Sequence, residues 1–123
     1  MINSFTDLKV WQEARDLRKD IENISNTFPS EEKFRLKDQI IRAARSITNN
    51  IAEGFGRFHY QENIQFCRQG RGSLFEVMDH LIIAYDNNFI SKEIFEKLNE
   101  ICSNELKLLN GYIKYLKDKK SEN

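Results

Sequence analysis

Glycine and proline are scarce in this chain, with five and one among its 123 residues. β-Sandwiches and barrels of this size join many short strands through turns that are rich in both residues, so their scarcity predicts an all-α protein. Cysteine is scarce as well. Cys67 and Cys102 do not stand in the paired spacing of a metal site or a disulfide framework, and we expect both to be reduced thiols packed on helices.

Long apolar runs and net charge are also lacking. No run approaches the roughly 18 apolar residues that a membrane span needs, and the segment Met1 to Ser4 lacks the basic and apolar regions of a signal peptide. We therefore expect a cytoplasmic protein with no membrane partner. Nineteen basic residues balance nineteen acidic ones, so the overall charge does not indicate nucleic-acid binding.

Helical periodicity is what the chain does contain. Apolar residues recur at alternating spacings of four and three from Val10 to Phe28, which is typical of a helix that buries one face. Similar patterns and the turn signals between them predict helices over about 7–27, 31–54, 60–86 and 92–117. Because short connections force neighbouring helices to run antiparallel, we predict one domain, residues 1–123, folded as an antiparallel up-down-up-down four-helix bundle.

Two charged residues fall on apolar faces of the predicted helices. Arg71 lies near the centre of the third helix's apolar face and Glu105 near the centre of the fourth's. In a hairpin about residue 88 the two positions are nearly level, and a buried unpaired charge is costly, so an Arg71–Glu105 ion pair is expected. In the alternative arrangement both side chains extend to the edge of the bundle.

Catalytic and metal-binding patterns are weak. A di-iron bundle needs Glu-x-x-His on two helices, whereas His80 follows Glu76 by four positions and no second copy exists. Ser73 has no His and Asp partners at helical spacing. The sequence therefore predicts no enzyme, no catalytic or metal-binding residue and no cofactor.

The charges are unevenly distributed along the chain. Residues 33–71 carry eight basic and three acidic groups, a net charge of +5, and both flanks are acidic. Five arginines of this segment are candidates for a phosphate-binding patch, since arginine suits bidentate phosphate contacts. They are Arg42, Arg45, Arg57, Arg68 and Arg71. The alternative is an ordinary solvated face.

Several residues point away from the predicted core. Gly72 lies inside the third helix, where glycine costs about 1 kcal/mol relative to alanine, and Phe75 and Ile83 face outward near it. Trp11 lies off the apolar seam of the first helix. Because exposed apolar groups of this size suggest contact with another subunit, Trp11, Gly72, Phe75 and Ile83 are oligomer-interface candidates.

Five motifs resemble a known family. They are Phe5 to Ala14, Phe28-Pro29 with Glu32, Gln39 to Ile47, Asn50 to Arg57, and Gly72 to Leu74 with Glu76. This set resembles the bacterial four-helix bundle proteins named for intervening sequences in 23S ribosomal RNA genes, a family similar to the accessory variability determinants of diversity-generating retroelements. The family usually has Ala where this chain has Gly70.

The resemblance implies a bundle that assembles into a ring-like homopentamer without catalytic residues. For the retroelement relatives it implies nucleic-acid binding and contact with a reverse transcriptase. Arg42, Arg45 and Arg57 are carried over as a binding surface, and Arg68 and Arg71 join them on charge alone. Two hypotheses follow: an oligomer that binds structured RNA or DNA or assists an RNA-handling enzyme, or a protein-interaction scaffold with no nucleic-acid role.

Overall fold

The computed structural model describes residues 1–122 and contains four α-helices and no strand within them. Helix α1 spans Lys9–Ser25, α2 Leu36–Gly56, α3 Tyr60–Asp86 and α4 Lys92–Ser121. Each helix packs on its two neighbours, with α1 against α2 and α4, and α3 against α2 and α4. Successive helices run antiparallel, so the predicted all-α class and up-down-up-down bundle are confirmed.

The apolar stripes of the sequence form the core. Val10, Ala14, Leu17 and Ile21 of α1 are all buried, and the other three helices contribute equivalent stripes. A fully buried Val, Leu or Ile side chain contributes roughly 1.5–3 kcal/mol relative to its exposed state. No helix within residues 1–122 is long and apolar enough to cross a membrane.

Two helix boundaries differ from the expected ones by several residues. Helix α2 begins at Leu36 rather than at about 31, because Ser30–Glu32 forms a short 3-10 turn and Arg35 has a non-helical backbone conformation. Helix α4 continues to Ser121 rather than ending at about 117. Lys119 and Lys120 lie in its last turn, where positive charge interacts favourably with the helix dipole.

The antiparallel order brings three distant parts of the chain to one end of the bundle. The segment before α1, the loop between α2 and α3, and the last turns of α4 lie together there. We call this the Phe58 end, after a residue of the α2–α3 loop. The opposite end, with the α1–α2 connection and the α3–α4 turn, is called the Pro29 end.

Candidate nucleic-acid interface

Arg42 and Arg45 lie on the outer side of α2, Arg57 directly follows the last residue of this helix, and each of the three is paired with a carboxylate. The nitrogen–oxygen distances are 3.0 Å for Arg42–Asp38, 2.9 Å for Arg45–Glu22 and 3.4 Å for Arg57–Glu53. All three arginines remain largely exposed, so the ion pairs contribute little to stability. The pairing does offset their charge, however, and this face carries little net attraction for phosphate.

Arg68 lies on the other side of the molecule, in the groove between α3 and α4. This groove has a volume of about 320 Å³, and Arg68 lines it together with Lys117 and Lys120 of α4. Neither Arg68 nor Lys117 forms an ion pair with any of residues 1–122. Lys120 donates a hydrogen bond to the neutral side chain of Gln61 and also has no carboxylate partner among residues 1–122. We call Arg68, Lys117 and Lys120 the cationic groove.

The two lysines of this groove were not among the candidates from the sequence. Residues 72–123 carry seven basic and nine acidic groups, a net charge of −2, which gave no reason to single out its lysines. Their significance arises only because the antiparallel packing of α3 and α4 brings Lys117 and Lys120 beside Arg68. The five candidate arginines are thus divided between two separate surfaces rather than joined in one patch.

The predicted Arg71–Glu105 ion pair is wrong. The Arg71 guanidinium donates a hydrogen bond of 2.9 Å to the side-chain oxygen of Asn110, five residues beyond Glu105. Glu105 instead lies at the groove between α4 and α1, near Lys9 and Glu13. The two side chains therefore face different neighbouring helices, Arg71 towards α4 and Glu105 towards α1.

Glu105 also does not extend to the edge of the bundle. It is 1% exposed, and neither carboxyl oxygen has a hydrogen-bond partner in residues 1–122. Burial, with a smaller contribution from the negative charge of Glu13, raises the pKa of Glu105 to about 9. The group is therefore a neutral carboxylic acid at neutral pH, which is a third arrangement besides pairing and extension to solvent.

The interface candidates have different surroundings. Phe75 is 52% exposed, Ile83 is also exposed, and no atom lies within 4 Å of the Cβ position that a side chain at Gly72 would occupy. These three share the outward side of α3. Trp11 is half-buried, with its ring packed edge-on against Phe5 at 5.2 Å between centroids, so it is engaged within the protomer.

A second groove, of about 660 Å³, lies at the Phe58 end. Five aromatic rings line it, and we call it the aromatic groove: Phe55, Phe58, Tyr60, Tyr112 and Tyr115. The rings of Tyr112 and Tyr115 stack with 6.2 Å between centroids, and the Asn63 amide donates a 3.1 Å hydrogen bond to the Tyr112 hydroxyl. This groove was not predicted from the sequence, because its rings come from two stretches of the chain, 55–60 and 112–115, that meet only at the end of the folded bundle.

Groups suited to metal binding or nucleophilic catalysis are not assembled in the described part of the chain. No cluster of three or more His, Cys, Asp or Glu side chains in residues 1–122 could hold a metal ion. Cys67 and Cys102 are buried free thiols, and burial raises the pKa of each to about 12. Because the thiolate is the reactive form, both thiols are inert at physiological pH.

Together these features define a four-helix bundle whose grooves are all open to the surface. The family model of the 23S rRNA-intervening sequence protein matches residues 6–111, and the chain belongs to that family. The family assignment made from the motifs is thereby confirmed.

One solved structure supports the same fold. It is the crystal structure of a protein with unknown function from the S23 ribosomal protein family of Bacteroides thetaiotaomicron. Its chain is 24% identical, with a TM-score of 0.79 over 85% of this chain and 98% of that one. At this identity the likeness shows the fold alone. No curated protein matches the chain.

Proposed function

We propose that this protein is a non-enzymatic, cytoplasmic homo-oligomer that binds structured RNA. The cationic groove is the observation that carries the proposal. Arg68, Lys117 and Lys120 project into one groove without a carboxylate partner among residues 1–122. Three such cations side by side attract a polyphosphate backbone and release its counterions on binding.

The α2 face forms the weaker part of the proposed surface. Arg42, Arg45 and Arg57 can reach a phosphate only in competition with their own carboxylate partners at 2.9–3.4 Å. The cations of the groove have no such competitor within the described residues. We therefore expect most of the electrostatic contribution to RNA binding to come from the α3–α4 side.

Replacement of the groove cations tests this proposal. The variant with Arg68→Ala, Lys117→Ala and Lys120→Ala should bind an RNA hairpin more weakly. Its log-log salt slope should be smaller by about 2, because each lost phosphate contact removes roughly 0.7–0.9 from that slope. Fluorescence anisotropy between about 50 and about 200 mM salt measures both quantities.

The matched control replaces three cations on the α2 face, with Arg42→Ala, Arg45→Ala and Arg57→Ala. It should reduce the salt slope by less than the groove variant does. If the α2 variant reduces the salt slope as much as the groove variant or more, RNA binds at the outer side of α2 instead. If the wild-type protein binds no RNA at low salt, or binds it independently of salt, the proposed function is wrong.

A protein-interaction scaffold is the second candidate function. The exposed apolar side chains Phe75, Ile82 and Ile83 on the outer side of α3 favour it, since clustered groups of this kind commonly mark protein contacts. The same side chains also suit a homopentamer. An oligomer that assembles through this face and ignores RNA would support the scaffold.

A further inference from the structure

Phe58 combines two unfavourable features. Its ring is 85% exposed, and its backbone φ is +58°, a left-handed conformation that suits glycine or asparagine rather than a bulky aromatic residue. The aromatic ring is thus exposed to water, and the backbone at the same residue adopts a conformation that is unfavourable for phenylalanine. Strained backbone of this kind persists most often at sites that contact a ligand.

Phe58 belongs to the rim of the aromatic groove. Tyr60 from the start of α3 and Tyr115 from the end of α4 also expose their rings there. Tyr112 forms part of the wall and is held in place by the hydrogen bond from Asn63. The groove thus presents several flat aromatic faces to solvent, with the orientation of at least one wall ring set by the protein.

The aromatic groove and the cationic groove lie at the same end of the bundle and draw on the same two helices, α3 and α4. Tyr60 lines the first and its chain neighbour Gln61 lines the second, and the same is true of Leu116 and Lys117 on α4. The Lys119 ammonium lies 5.8 Å from the centre of the Tyr115 ring, but it is paired with Glu122 at 3.5 Å. The cations of the cationic groove are free of a carboxylate partner within residues 1–122, so rings and free cations occupy neighbouring grooves at the Phe58 end.

We infer that the Phe58 end binds the unpaired nucleotides of a structured RNA, such as those of a hairpin loop, with bases stacked on Phe58, Tyr60 and Tyr115 and phosphates along the cationic groove. This inference rests on the proposed function and specifies its ligand. Aromatic faces beside a charged groove are the usual means of holding a single strand without sequence readout. Bases inside a paired helix are already stacked on one another and cannot reach such rings.

Charge argues against a two-fold contact with a second copy of the chain at this site. In such a contact both copies would contribute the same surface patch. The interface would then hold two sets of Arg68, Lys117 and Lys120, and like charges brought together oppose association. An anionic partner with aromatic faces matches both features of the surface.

The test compares three substitutions in the full chain by fluorescence anisotropy with a short unpaired RNA oligonucleotide. Phe58→Asn should weaken binding roughly 5- to 100-fold, the range for loss of one stacked base. Phe58→Trp should retain binding, because it keeps an aromatic face. Phe34→Ala is the matched control, since Phe34 is 84% exposed, lies at the Pro29 end and also has a lysine over its ring.

The Phe58→Asn variant also separates binding from folding. Asparagine tolerates the left-handed conformation, so this variant should unfold at the same temperature as the wild type or higher. A loss of RNA binding without a loss of stability supports the site. The perfectly paired duplex of the same sequence should bind more weakly than the single strand to the wild type and respond little to Phe58→Asn.

Different experimental results would contradict the nucleotide-stacking site and the proposed RNA-binding function. If the groove variant loses salt-dependent binding but Phe58→Asn binds the single strand as the wild type does, only the nucleotide-stacking site is wrong. Equal affinity of the wild type for the duplex and the single strand would also contradict the nucleotide-stacking site. If Phe58→Asn changes the sedimentation coefficient but not RNA binding, the end is a subunit contact. If the wild type binds neither the single-stranded nor the duplex RNA, both the nucleotide-stacking site and the proposed RNA-binding function are wrong.

Discussion

Glu105 places a carboxyl group in the core of the bundle without a hydrogen-bond partner for either oxygen within residues 1–122. Its pKa is raised from the ordinary 4.5 to about 9 in the folded protein. Between these values the folded state holds a proton that the unfolded chain releases. Stability therefore falls as pH rises through this window, by up to about 1.4 kcal/mol per pH unit.

Glu105→Gln should flatten this dependence. Between about pH 5 and about pH 8 the wild type should lose about 2–4 kcal/mol more of its unfolding free energy than the variant does, because glutamine does not titrate. Urea denaturation at the two pH values measures the difference. Exposed Glu100 provides the control, and Glu100→Gln should follow the wild-type curve.

Glu105→Leu should also flatten the dependence of stability on pH. Leucine removes both the titration and the unsatisfied polar atoms, so this variant should exceed the wild type in stability, with a larger margin at about pH 8 than at about pH 5. Parallel pH profiles for wild type, Glu105→Gln and Glu105→Leu would show that the Glu105 carboxyl is hydrated or paired in solution.

At the scale of elements, α2 and α3 approach each other closely. Gly54 of α2 lies against α3 so tightly that an added Cβ would lie 2.6 Å from the Asn63 side-chain oxygen and 3.0 Å from the Phe66 Cβ. Farther along the same pair of helices, the Ser73 hydroxyl donates a 2.8 Å hydrogen bond to Ser46. Gly54, Ser46 and Ser73 are small enough to permit this close spacing of the two helices. The close packing holds Asn63 in the position from which it donates its hydrogen bond to Tyr112.

Gly54→Ala should destabilise the bundle despite the higher helix propensity of alanine. The added methyl group must push α3 away, and overpacking of this kind typically costs about 1–3 kcal/mol. Thermal or urea unfolding measures the loss. Gly111→Ala is the control, because nothing lies within 4 Å of its Cβ position, and it should gain up to about 1 kcal/mol from propensity alone.

The two glycine variants should therefore shift stability in opposite directions. A stabilised Gly54→Ala variant would mean that α2 and α3 separate at little cost, and that close approach does not explain the glycine. If both variants are destabilised, alanine is unfavourable in these helices for a reason other than space.

At the scale of the whole molecule, the exposed apolar side chains of α3 are the best candidates for the contact surface of the proposed homo-oligomer. Phe75, Ile82 and Ile83 leave a bundle of this size with unpartnered apolar area on one side. Trp11, in contrast, already packs on Phe5 inside its own protomer. We therefore expect the α3 face, rather than Trp11, to dominate self-association.

Phe75→Asp should dissociate the proposed oligomer. A carboxylate buried in an apolar contact without a partner costs several kcal/mol, so association should weaken by more than about 100-fold. Sedimentation velocity at micromolar protein measures the change. Phe34→Asp is the control and should leave assembly unchanged, because Phe34 exposes its ring at the Pro29 end. A wild type that sediments as a monomer would contradict the oligomer itself.

The helices and the faces they bury follow from the sequence. Helical periodicity is local: the spacing of Val10, Ala14, Leu17 and Ile21 places them on one side of α1 whatever the rest of the chain does, and all four are in the core. The family motifs are local in the same sense, which is why they could be read directly from the chain.

Which polar groups meet depends on how the helices pack against one another. The rotation and axial offset of α3 against α4 depend on side-chain packing along the whole contact, so neither helix alone encodes that Arg71 meets Asn110. The same packing brings Lys117 beside Arg68 and turns Glu105 toward α1. The grooves of this protein are therefore products of the packing of its helices, because each combines residues from segments that are distant in the sequence.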